Sequence, residues 1–148
     1  MAAEWLQIFL LLLSLNIAFA LTPYSLEGLK EVNVSIIDKS NILPKKLKSQ
    51  LTKDIIDKLE QLGLRTKTDL YSKIIIKIDS VMIDSKYALY ISFLVIEDMI
   101  TLNDRSNIKI SITYKMDDFI DSIEPKIDIV ESIEYLTNEF IDQYKQEN

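Results

Sequence analysis

Apolar Val32, Val34 and Ile36 alternate with Asn33 and Ser35. A period of two puts one set on each face of a pleated strand, so a half-buried strand is predicted here. The period then changes. Leu47, Leu51, Ile55, Leu59 and Leu62 recur every three or four residues, which lines one face of a helix. Pro44 stands where a fixed φ suits a helix start. Gly63 follows the last apolar position, where a left-handed cap favours glycine. A helix over 45–62 is predicted. Alternation returns over 70–83, with Ile74, Ile76 and Ile78 facing one way and Lys73, Ile75 and Lys77 the other. Ser85 lies in a tight connection. A further strand begins near Tyr87. Tyr87, Leu89, Ile91, Phe93 and Val95 form one of its faces, and Ala88, Tyr90, Leu94 and Ile96 the other. Apolar residues on both faces predict a central strand or a covered second face. After a polar turn at 103–107, Ile108, Ile110, Ile112, Tyr114 and Met116 alternate with Lys109, Ser111, Thr113 and Lys115, as in a one-sided strand. Pro125 sits where a last helix could start. Val130, Ile133, Leu136, Phe140 and Tyr144 make its apolar stripe.

The predicted order is β-α-β-β-β-α. Two helices can pack on one face of a four-stranded, mostly antiparallel sheet, giving a two-layer α+β sandwich. Residues 21–148 form this single domain, a length that can bury a real core.

The segment before it has another character. Residues 5–21 carry no charge, and 8–13 are wholly apolar. Ala18 and Ala20 are the small residues a signal peptidase requires, so 1–20 reads as a signal peptide cleaved before Leu21. Glu4 stands where a basic residue is expected. The alternative is an uncleaved N-terminal anchor, for which the stretch is slightly short and interrupted by Ser14 and Asn16. A periplasmic or secreted location follows from cleavage.

Composition narrows the chemistry. The chain has no His and no Cys. That excludes Ser-His-Asp and Cys nucleophile catalysis, zinc sites built on His or Cys, and iron–sulfur clusters. Two glycines, Gly28 and Gly63, cannot build a phosphate-cradling loop. No cofactor is expected. The formal net charge is −6, and Glu4 is the only charge in the leader. An acidic domain without a basic cluster repels nucleic acid and anionic lipid.

Asp117, Asp118, Asp121 and Glu124 are the densest carboxylate group. Their spacing lacks the central glycine and alternating oxygens of a calcium loop. They fit a solvated turn leading into an acidic helix start. A hydrolase using these carboxylates is the least favoured function, and no catalytic residue or metal ligand is assigned. Ser72-Lys73 and Ser85-Lys86 are adjacent pairs, whereas a Ser/Lys dyad needs a lysine brought in by the fold. Asn33-Val34-Ser35 matches a glycosylation acceptor but falls inside a predicted strand.

The candidate surface is apolar. With both helices on one sheet face, Ile75, Tyr90, Leu94 and Ile96 lie on the other. A contiguous exposed apolar patch marks a partner or ligand surface, unless 21–29 or 99–102 folds over it. The chain also resembles a set of small secreted bacterial α+β proteins of uncharacterised function. The resemblance lies at Leu26-Glu27-Gly28-Leu29-Lys30, at the helix end from Leu59 to Gly63-Leu64, and at Phe140-Ile141-Asp142-Gln143-Tyr144. It implies an exported α+β domain and brings no catalytic residues with it. The expected function is a non-enzymatic envelope accessory module that binds another exported protein. The alternative is a carrier of a small apolar ligand. N-terminal sequencing of the mature protein is expected to read Leu21-Thr22-Pro23. Recovery of a peptide containing Glu4 and Trp5 from it would instead establish the anchored form.

Overall fold

The computed structural model describes residues 25–66, 72–101 and 104–148. The expected leader, and residues 70 and 71 at the start of a predicted strand, lie outside the described residues. The elements are β1 (Glu31–Asp38), α1 (Lys45–Gln61), β2 (Arg65–Thr66), β3 (Lys73–Ile83), β4 (Lys86–Thr101), β5 (Asp104–Ser122) and α2 (Pro125–Glu147). Among the described residues the fold is α+β with two helices, as the periodicity predicts.

The sheet departs from the prediction in three ways. Among the described residues it has five strands, in the order β2-β1-β3-β4-β5, and it is mixed. β1 runs parallel to both of its neighbours, while β3, β4 and β5 form an antiparallel meander. The added strand, β2, is two residues long, too short to leave a period in the sequence. Residues 104–107 and 117–122, expected as turns, belong to β5.

Local chemistry sets the boundaries. α1 ends in a Schellman motif. The Gly63 amide donates to the Glu60 carbonyl (3.0 Å) and the Leu64 amide to that of Leu59 (3.1 Å). Gly63 has φ +86°, where any other residue is strained. Leu59 and Leu64, the hydrophobic pair of this motif, are both buried. The β1–α1 connection is fixed by Asp38, whose buried carboxylate accepts from the amides of Ser40 (3.1 Å) and Leu43 (2.9 Å). Asp84 and Ser85 both have positive φ, as a two-residue type I′ hairpin between β3 and β4 requires.

Both helices contribute to one core. Ile74, Ile76 and Ile78 of β3 and Leu89, Ile91, Phe93 and Val95 of β4 meet Ile55 and Leu59 of α1 and Ile129, Ile133, Leu136 and Phe140 of α2. Phe140 sits at the centre of an aromatic cluster. Its ring centroid lies 5.1 Å from Phe93, 5.5 Å from Tyr114 and 6.2 Å from Tyr144. The end of α2 also ties down the chain ahead of β1. The Tyr144 hydroxyl donates to the Leu29 carbonyl (2.9 Å), and Asn148 Nδ2 to that of Leu26 (3.0 Å). Leu26 and Leu29 are buried there. No helix among the described residues is long and apolar enough to cross a membrane.

Phe140→Ala empties the middle of this cluster, so a loss of about 3–5 kcal/mol is expected in denaturant unfolding. Gly63→Ala is expected to cost about 1 kcal/mol through its positive φ alone.

Candidate functional site

The pleat sends the residues between the core positions to the side of the sheet away from the helices. Ile75, Tyr90, Leu94 and Ile96 all point there, as predicted, and all are half-buried. The described part of neither segment expected as a possible cover lies over them. Of 21–29, the described part is clasped by the end of α2. Of 99–102, the described part continues β4, paired in the plane of the sheet with β5.

Cross-strand register divides this face into three zones. At one end Ile75, Leu94, Ile96 and Ile112 are grouped, through the pairs Ile75↔Leu94 and Ile96↔Ile112. At the other end Val81, Ile83 and Phe119 stand exposed, with Phe119 at 76%. Tyr90 lies in the polar zone between, so the four predicted residues do not form one continuous patch.

That middle zone is a closed set of hydrogen bonds. The Tyr90 hydroxyl donates to Asp117 Oδ1 (2.8 Å) and accepts from Lys115 Nζ (3.2 Å). Lys115 Nζ also lies 2.8 Å from Asp117 Oδ2. Burial pushes the Asp117 carboxyl up, but hydrogen bonds from Lys115, Ser92 and Tyr90 outweigh it and hold the group below its ordinary range. Hydrogen bonds to Asp117 and Tyr90 hold the Lys115 ammonium above its ordinary range. At neutral pH the lysine is therefore no nucleophile and the carboxylate no acid. The Tyr90 ring stacks on Phe119, with centroids 4.6 Å apart. The cluster fixes both rings and presents Phe119 outward.

The carboxylates of the predicted acidic group do not converge. Adjacent Asp117 and Asp118 point to opposite faces of β5. Asp118 accepts from Ser132 Oγ (2.7 Å) on α2. Asp121 returns to the open face, 3.5 Å from Lys86 Nζ. Among the described residues no group of three or more acidic side chains could hold a metal ion. An open-mouthed recess of about 640 Å³ lies at the β3–β4 hairpin end, walled in part by Ile83, Ala88, Phe119 and Asp121.

Sequence reasoning missed Phe119, Lys115 and Asp117 as members of this face. The alternation of β5 continues through Asp117, Phe119 and Asp121, but two adjacent aspartates resemble a turn. It also treated Ile110 and Ile112 as equivalent to Tyr114. A β-bulge at the Val95/Ile96 step leaves Thr113 without a partner position. Tyr114 stays in the core, while Ile112 and Ile110 turn to the open face, 46% and 76% exposed. The Thr113 hydroxyl is buried there without a hydrogen-bond partner among the described residues.

No protein-family model matches the chain, and no curated protein matches it in sequence.

Because Asp117 is held below the ordinary 3.8, its interactions stabilise the fold above that pH. The contribution is lost as the pH falls from there through the folded-state value. An NMR titration is expected to place the Asp117 midpoint below 3.8 in the wild type. Lys115→Met is expected to raise it, and an unchanged midpoint would show that the lysine does not hold the carboxylate.

Proposed function

We propose that the protein is an exported, non-enzymatic module that binds another envelope or secreted protein through the open face of its sheet. One observation carries this reading. A mixed sheet with helices on one side presents apolar Ile75, Leu94, Ile96 and Ile112 on the other, with Val81, Ile83 and Phe119 beyond them, and no described helix or strand lies over them. Apolar surface grouped in this way marks an interaction site. The internally satisfied Tyr90–Lys115–Asp117 cluster suits such a surface. It supplies fixed polar contacts without requiring side chains to reorganise on binding. The open-mouthed hairpin recess favours a protein partner over an enclosed apolar ligand. The acidic balance disfavours nucleic acid.

The test compares capture of partner from an envelope or secreted fraction by four immobilised proteins. They are the wild type, Leu94→Glu, Phe119→Glu and, as a helix-surface control, Tyr135→Glu. The wild type and the control are expected to retain the same protein. Leu94→Glu, placed at the centre of one apolar zone, is expected to weaken it at least about tenfold, as for an interface anchor. Capture insensitive to both face substitutions would overturn the reading, as would capture lost only in the control.

A further inference from the structure

Among the described residues β5 is the end strand of the sheet, and it is the longest, at 19 residues. No described strand pairs with its outer edge. The opposite end is blunted by the two-residue β2, a common way to avoid edge pairing. β5 lacks that protection, and its side chains are distributed unevenly along its length. Lys109 and Lys115 lie before Met116, while Asp117, Asp118 and Asp121 lie after it. Its exposed apolar residues stand on both sides of the same point, with Ile110 and Ile112 before it and Phe119 after it.

An antiparallel strand reverses this order. If a second β5 is laid antiparallel about Met116, Lys115 of each copy comes opposite Asp117 of the other. Residues opposite one another in an antiparallel pair share a face. Because of the bulge at Thr113, Ile112 faces the open side, so its same-face neighbour across the axis is Phe119 of the second copy. One register therefore joins opposite charges and pairs the apolar residues that the single chain leaves in water. A like-charged strand would gain neither. The acidic half excludes an acidic partner strand, and its basic half supplies the complement within the same sequence.

We infer that β5 is a homodimer edge, and that the protein joins a second copy of itself across a two-fold axis at Met116. The pairing is isologous and closes on itself. It makes one continuous ten-stranded sheet, with the open faces of both copies on the same side. The inference goes beyond the proposed partner surface and does not depend on it. Dimerisation doubles the length of that surface, with Phe119 and Ile112 at the seam.

Sedimentation equilibrium and light scattering on the purified protein, from about 1 to 100 µM, test the inference in the range of non-obligate dimers. A mass of two chains is expected for the wild type. Phe119→Asp is expected to weaken the dimer at least tenfold, by placing a carboxylate against Ile112 of the second copy. Val81→Asp, a similarly exposed open-face residue on β3, is expected to leave it intact. Asp117→Lys sets like charges across the axis and is expected to give monomers. The double variant Lys115→Asp/Asp117→Lys restores opposite charges, both within the chain and across the axis, and is expected to restore the dimer. Because the double variant also restores the pair within the chain, circular dichroism and thermal melting of Asp117→Lys, expected to show a folded monomer, separate loss of pairing from loss of folding. A wild-type monomer throughout the range overturns the inference. So does a dimer indifferent to Phe119→Asp and Asp117→Lys, or one broken by Val81→Asp. A monomer that still captures its partner through Leu94 overturns the edge alone and leaves the face reading standing.

Discussion

The contact of Phe140 with Phe93 and Tyr114 is the interaction on which the rest of the structure depends. It seats α2 across β4 and β5, the two longest of the described strands. Aromatic rings at 5–6 Å in tilted and edge-on arrangements add specific geometry to their burial. Once α2 is seated, Tyr144 and Asn148 reach the carbonyls of Leu29 and Leu26 and hold the entry to β1. Three distant parts of the chain are joined around one helix. With no cysteine in the chain, packing of this kind supplies the cross-links that disulfides supply in many small domains.

Seating both helices on one face has a direct consequence for the other. Every strand residue between two core positions is turned outward, whatever its polarity. The chain meets this with a mosaic. Lys115, Asp117 and Tyr90 satisfy one another in the middle of the face, while apolar residues collect at its two ends. The polar node holds Phe119 by stacking, so an exposed ring keeps a defined position. A surface both apolar and rigid loses little side-chain entropy on binding, which is the physical basis for reading it as a recognition surface.

Much of the fold was legible in the residues. The α1 stripe, the glycine after it, the proline opening α2 and the alternation in β3 and β4 each match the structure. All are strong local signals. The site was legible in part: Ile75, Tyr90, Leu94 and Ile96 do share the open face. Phe119 and Ile112 were hidden for opposite reasons. Two adjacent aspartates disguised the continuation of β5, and the bulge at Thr113 reversed the faces of the residues before it. A bulge is one extra residue relative to a partner strand, so it exists only in the pairing and leaves no period of its own.

The sequence by itself determined the identity of each long element, the face each strand residue takes away from the bulge, and the chemistries excluded by the lack of His, Cys and glycine-rich loops. Those properties depend on residue type and short-range spacing. Tertiary structure decided the strand order, the parallel placement of β1 between β2 and β3, and which strand is left at the edge. It also decided that Tyr90 belongs to a polar cluster rather than to the apolar patch. These are matters of which residues distant in the chain come side by side, and periodicity within one segment carries no information about the segment beside it.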